Sequence, residues 1–140
     1  ELKAVALHMS EDLKRAQVAL SPQAVEVMLW EILENAKKFH PARSPAVEIE
    51  VGRENAGRIA LRVGDDGLTL SPEQLEQVWT PYYQAERGFT GELPGMGLGL
   101  STVASLVWGV GGACRLYNRT DGPGIVVELI LPEMSAAPAP

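Results

Sequence analysis

In the stretch LWEILENAKKFHP, residues 29–41, Glu31, Asn35 and Lys38 recur at spacings of four and three within an otherwise apolar helical pattern. Asn stands roughly half a kcal/mol below Ala as a helix former, so its place here asks for a reason. The helix should start at Ser21-Pro22, a hydroxyl N-cap followed by Pro at the first helical position, and run to about Phe39, closed by Pro41. At about 100° per residue, Val25, Leu29, Ile32, Leu33 and Ala36 form one stripe, the expected core face. Gln23, Glu26, Trp30, Glu34 and Lys37 form the expected solvent face. Glu31, Asn35 and Lys38 share a third stripe with Ala24 and Val27, so that stripe is not simply more solvent face. An acid, an amide and an ammonium in a row suit a metal-bound polyphosphate. The carboxamide oxygen is a hard ligand for Mg²⁺, the ammonium neutralises phosphate, and the carboxylate can orient a nucleophile. The same row also fits the ordinary i,i+4 polar spacing of a surface helix.

Around this helix the pattern is mixed. LKAVALHM (2–9) reads as a strand, and EDLKRAQVAL (11–20) fits neither period. Alternating runs over 46–51 and 58–63 flank the turn-rich RENAG and predict a β-hairpin. SPEQLEQVW (71–79) predicts a short helix, residues 84–94 a loop, and LGLSTVASLVWGV (98–110) a buried helix ending at Gly-Gly. CRLYNR (114–119) and GIVVELILP (124–132) read as strands joined by TDGPG. The expected class is α+β: a mixed, largely antiparallel sheet covered on one face by helices.

A chain of 140 residues suits one domain, expected over residues 1–133, with the Ala/Pro-rich 134–140 as a tail or linker. Beginning at Glu1 rather than Met, it is expected to belong to something longer. The net charge of −6 argues against a nucleic-acid binder that works by broad phosphate neutralisation. A lone Cys114 leaves neither an internal disulfide nor a cysteine-based zinc cluster, and no apolar run approaches a membrane-spanning length.

Two glycine stretches carry further chemistry. RVGDDGLTL (62–70) places two carboxylates at a strand end before Gly67. An Asp there can accept from the exocyclic amine of a base such as adenine, and an ordinary acidic turn fits as well. PGMGLGLST (94–102) sets Gly95, Gly97 and Gly99 before an apolar helix, where backbone N–H groups can converge on an anion. No Gly-Lys-Ser/Thr follows, and the spacing of a dinucleotide fingerprint fails.

Together, ENAKKF, VGDDG, WTPYYQ and GMGLGLS, in that order, resemble the N box, first glycine box, aromatic box and second glycine box of the histidine-kinase catalytic domain. That domain belongs to the ATPase superfamily shared with DNA gyrase, Hsp90 and MutL, and the likeness runs from about residue 21 to Pro132. It implies a two-layer α/β sandwich of the Bergerat ATP-binding type, with Mg²⁺ and ATP as cofactors. By that resemblance Asn35 would coordinate Mg²⁺, Lys38 would reach the phosphates and Phe39 would line the pocket. Asp65 would take the adenine amine, with Gly67 giving clearance. Residues 84–94 would form a short lid with Tyr83 at its base. Gly95, Gly97 and Gly99 would supply backbone contacts, and the N–H groups of Leu98 and Leu100 would face the phosphates.

The implied reaction moves the γ-phosphoryl of ATP to a histidine on a separate dimerisation domain, with a response regulator as the further partner. The implied setting is cytoplasmic, without nucleic-acid or direct membrane contact by this domain. Departures from the family pattern fall at Thr69, Met96 and Ile125, and at Glu31, where the family often carries a first Asn. Glu31 is expected to orient the incoming histidine or a metal-bound water; an acid that merely pairs with Lys38 is the other reading. His8 is expected to be a strand residue, and His40 a cap rather than a phosphoacceptor, so the chain should lack its own acceptor. Trp30 and the lid's Phe89 are candidate contacts for the absent helical domain. An ATP-hydrolysing switch of the gyrase type, or a degenerate nucleotide-sensing or docking module, are the competing readings.

Overall fold

The computed structural model describes residues 4–55, 57–77 and 99–134. Five strands form one sheet in the order β1-β2-β3-β5-β4: β1 Ala4–Met9, β2 Ala46–Asn55, β3 Arg58–Asp65, β4 Ala113–Asn118 and β5 Ile125–Pro132. β1 pairs parallel with β2, so helix α1 (Pro22–Phe39) crosses between them; the other pairings are antiparallel. A short helix α2 (Pro72–Gln77) follows β3, and α3 (Gly99–Gly109) precedes β4. The segment 10–20, which shows no clear period, forms a single 3₁₀ turn at Glu11–Leu13 and an isolated bridge from Val18 to Glu133. No helix among the described residues is long and apolar enough to cross a membrane.

α1 starts and α3 stops where local chemistry dictates. The Ser21 hydroxyl accepts from the Ala24 N–H at 3.1 Å, with Pro22 next in line. α3 ends in a Schellman arrangement: Gly112 N–H bonds the Val107 carbonyl, Gly111 N–H bonds that of Trp108, and Gly111 takes φ +80°. The two helices pack against each other and cover one sheet face. There Met28, Ile32, Leu100, Val103 and Val107 meet Val47, Val63, Val127, Leu129 and Leu131. The helical cover does not extend over β1, whose Val5 and Leu7 stay exposed.

On α1 the buried line is Met28, Ile32 and Ala36, while Val25, Leu29 and Leu33 are half-buried. The core face is therefore turned toward Met28 relative to the stripe expected from the wheel. The helix packs against α3 as well as over the sheet, while Val27 of the third stripe stays exposed. Asn35 lies about 60° around the helix from Ile32, and Glu31, Asn35 and Lys38 are all half-buried.

The opposite sheet face is polar. A single row across all five strands reads His8, Glu50, Arg62, Glu128, Arg115. Glu128 is almost fully enclosed; Arg62 Nε donates to its Oε2 at 2.6 Å. Its Oε1 lies 2.6 Å from Arg115 Nε as an ion contact, without an aligned hydrogen bond. Burying that carboxylate is tolerable because a guanidinium flanks it on each side.

Candidate functional site

β3 ends at Asp65, and the turn Asp65-Asp66-Gly67 packs directly against the C-terminal end of α1. A Cβ on Gly67 would lie 3.6 Å from His40 Cα and 3.7 Å from the Phe39 carbonyl oxygen, and 3.2 Å from Asp65 Oδ1. Asp65 is buried on the helix side of the sheet, in register with Val47. Its Oδ1 accepts from the Gly67 N–H at 2.8 Å. Burial pushes this carboxyl above the usual carboxylate range, and the N–H groups of Gly67 and Ile125 pull it only part of the way back. A buried carboxylate with spare acceptor capacity is a chemically apt partner for the amine of a base.

The backbone beneath Asp65 is fixed by two residues that sequence reading passed over. Gly124, at φ +116°, lies so close that a Cβ there would stand 1.9 Å from the Asp65 carbonyl oxygen. Arg119 donates to the same oxygen through Nη1 at 3.1 Å. Beyond the turn, Asn118 holds Leu70 with a pair of bonds: it accepts from the Leu70 N–H at 2.9 Å and donates to its carbonyl at 2.8 Å. GxG-type spacing flags none of these contacts, since each joins residues some fifty or more positions apart.

His40 is the C-cap residue of α1, as its place before Pro41 suggests. Its Nδ1 accepts from the Ala42 N–H at 3.1 Å and the Ser44 N–H at 3.4 Å. The other ring nitrogen, Nε2, faces Asp66 Oδ1 at 3.0 Å. Asp66 Oδ1 also accepts from the Ala46 N–H at the start of β2. Burial opposes the Asp66 charge, but the Ala46 N–H and the His40 ring outweigh it and hold this carboxyl below its ordinary value.

The C-terminal end of α1, at Phe39 and His40, thus meets the Asp65–Gly67 turn. At Gly67 the tight neighbour of a side chain would be Asp65 Oδ1, while the helix end lies at ordinary contact distance. Leu100 places its side chain in the core, so only its backbone is left for a ligand. Gly99 opens α3. Tyr83, Phe89, Gly95, Met96, Gly97 and Leu98, with the expected lid 84–94, lie outside the described residues. Thr69 is exposed and Ile125 begins β5. His8 is a strand residue, its Nε2 3.3 Å from Glu48 Oε2, and Trp30 is exposed on α1. Cys114 is half-buried on β4, and burial pushes its thiol up to about 11, which leaves it protonated at neutral pH.

Residues 21–135 match the family of histidine kinase-, DNA gyrase B- and HSP90-like ATPases, and the chain belongs to that ATP-binding family. It is 36% identical over 112 residues to the Non-motile and phage-resistance protein of Caulobacter vibrioides, covering 79% of this chain and 13% of that one. It is 32% identical over 124 residues to the sensor histidine kinase ZraS of Salmonella typhimurium, covering 88% of this chain and 24% of that one. The chain thus spans less than a quarter of the length of these two curated relatives. Among solved structures it superposes on the mycobacterial sensor histidine kinase MprB with a TM-score of 0.76 at 22% identity, covering 95% of this chain and 85% of that one. It superposes on full-length ShkA, solved in complex with AMPPNP, with a TM-score of 0.75 at 22% identity, covering 96% and 26%. The five-stranded mixed sheet with helices on one face is the fold of these kinase domains.

Proposed function

We propose that residues 1–133 form the ATP-binding catalytic domain of a sensor histidine kinase, with 134–140 as a tail. The observation that carries this is the buried Asp65 carboxylate set against the end of the helix that bears Asn35 and Lys38. A nucleotide read at its base by Asp65 would have its phosphates reached from the same helix. The sensor kinases among the relatives support the kinase branch over the gyrase-like hydrolases.

In this reading Asp65 accepts from the adenine amine and Phe39 lines the pocket, while Gly67 keeps the turn close to α1. Lys38 neutralises phosphate charge, and the backbone of Gly95, Gly97, Leu98, Gly99 and Leu100 faces the phosphates at the start of α3, with Tyr83 at the base of a lid. Among the described residues no cluster of three or more His, Cys, Asp or Glu is arranged to hold a metal. That fits Mg²⁺, which keeps several waters and is held by phosphate oxygens with one or two protein ligands, here the Asn35 side-chain oxygen. Bound Mg-ATP supplies the transferable phosphoryl group and offsets its charge. The chain's own contribution is placement and charge neutralisation. Glu31, one turn before Asn35, orients the attacking histidine, which is supplied by a dimerisation domain elsewhere in the parent chain. The phosphohistidine would then serve a response regulator, on the cytoplasmic side where ATP is available.

The test is to titrate Mg-ATP against this domain and then add the histidine-bearing domain of the parent chain. Saturable binding and a labelled histidine are expected. Phosphate release with no added domain would instead favour a hydrolysing switch, and no binding at millimolar ATP a docking module. Glu31→Gln should slow phosphotransfer; unchanged phosphotransfer and ATP turnover would remove Glu31 from the reaction.

A further inference from the structure

We infer that His40 and Asp66 form a strap that positions Asp65, and so sets discrimination between adenine and other bases. This rests on the assignment of Asp65 to the adenine amine. Asp66 joins three elements through one oxygen. It accepts from the Ala46 N–H of β2 at 2.9 Å, lies 3.0 Å from His40 Nε2 at the cap of α1, and sits between Asp65 and Gly67 in the turn. The Gly67 N–H in turn fixes the Asp65 carboxylate at 2.8 Å. A shift of the turn relative to α1 therefore moves the base-reading oxygen against the helix that carries Phe39 and Lys38.

The strap is itself held rigid. The His40 ring is only 12% exposed, and its Nδ1 is occupied by the Ala42 and Ser44 N–H groups. That occupation leaves Nε2 as the ring nitrogen that faces Asp66. The intervening Arg43 takes φ +58°, a left-handed conformation that costs a non-Gly residue energy, and His40 spans it on both sides. From below, Gly124 and Arg119 fix the Asp65 carbonyl, leaving the His40 side as the one that sets the turn's distance from α1.

The test compares the affinities of the whole chain for ATP and for inosine triphosphate, whose base carries a carbonyl in place of the amine. His40→Asn keeps an acceptor for Ala42 and Ser44 but cannot reach Asp66. Asp66→Asn keeps Oδ1 for both bonds, and Asp66→Ala removes it. The preference for ATP should fall about tenfold in His40→Asn and Asp66→Ala and stay near wild type in Asp66→Asn. A merely structural role would lower the melting temperature and weaken both nucleotides alike. Equal losses for both nucleotides, an unchanged preference in His40→Asn, or an Asp66→Asn variant as impaired as Asp66→Ala would each overturn the strap. If the unmutated chain itself fails to prefer ATP, the assignment of Asp65 falls and the strap with it. That failure is recognisable because it precedes any substitution.

Discussion

Gly124 and Asp65 meet backbone to backbone: a side chain on the glycine would begin 1.9 Å from the aspartate's carbonyl oxygen. Nothing softer than main chain stands there to give way, and φ at Gly124 is +116°. Gly124→Ala should therefore cost more than about 3 kcal/mol and weaken nucleotide binding through the displaced turn. Gly109→Ala, at the last turn of α3 with nothing within 4 Å, should be neutral or gain about 0.5 kcal/mol from helix propensity. Denaturant melts of the two variants decide this; equal stabilities would refute the contact.

The pH response of Asp65 has a definite sign. Its folded-state value is raised above the ordinary 3.8, so its charge opposes folding. The favourable contribution of the neutral form is whole below 3.8 and is lost as pH rises through the raised value. The same titration governs the base. As pH is lowered from 7, ATP affinity should begin to fall at higher pH than an ordinary aspartate allows. Inosine triphosphate should lose less, because a protonated carboxyl can donate to its carbonyl. Calorimetric titrations across that range would show parallel losses if Asp65 does not touch the base.

Asn35 is assigned to the metal rather than to the nucleotide itself, which separates two measurements. Asn35→Ala should weaken ATP binding by about tenfold or more in Mg²⁺ and hardly at all in EDTA. Equal weakening in both buffers would mean that the carboxamide serves the helix or the nucleotide and not the ion.

Met28 is fully buried while its neighbour Leu29 is only half-buried. Met28→Ala should lose about 2–5 kcal/mol and Leu29→Ala about half as much, with ATP affinity kept in the folded fraction. The reverse order would place the core face back where the helical wheel alone had put it.

Those two residues also show what the sequence can and cannot convey. The bounds of α1 were legible because Ser21-Pro22 and Pro41 act locally, and the N box was legible because Asn35 is out of character in a helix. The rotation of the core toward Met28 was not, since it depends on α3 wedging against α1 from the far end of the chain. The hairpin was seen, but β2 runs on to Asn55 through a register irregularity at Arg53/Asn55 and β3 on to Asp65, where polar residues break the alternation. Glu128 reads as one acid inside VVELIL. Only the pairing of three strands reveals that Arg62 and Arg115 enclose it. Likewise the Asp65–Gly67 motif marked an acidic turn at a strand end, whereas its supports at Gly124, Arg119, His40 and Asn118 are long-range contacts with no local signature.

The strand order carries a consequence for how the chain folds. β2 with β3 and β4 with β5 are each hairpins that can close locally, but the central seam joins β3 to β5 across α3 and the whole site region. Docking one hairpin on the other is thus the step of highest sequence separation, and contact order should make it rate-limiting. The parallel strand β1, exposed along its whole length, can be added afterwards. Leu129→Ala in the seam should slow refolding, and Leu7→Ala in β1 should chiefly speed unfolding. If chevron plots assign both effects to the same limb, the order of assembly is different. If they divide as expected, the carboxylate turn, at the base of the locally closing β2–β3 hairpin, is formed before the seam brings Gly124 beneath it.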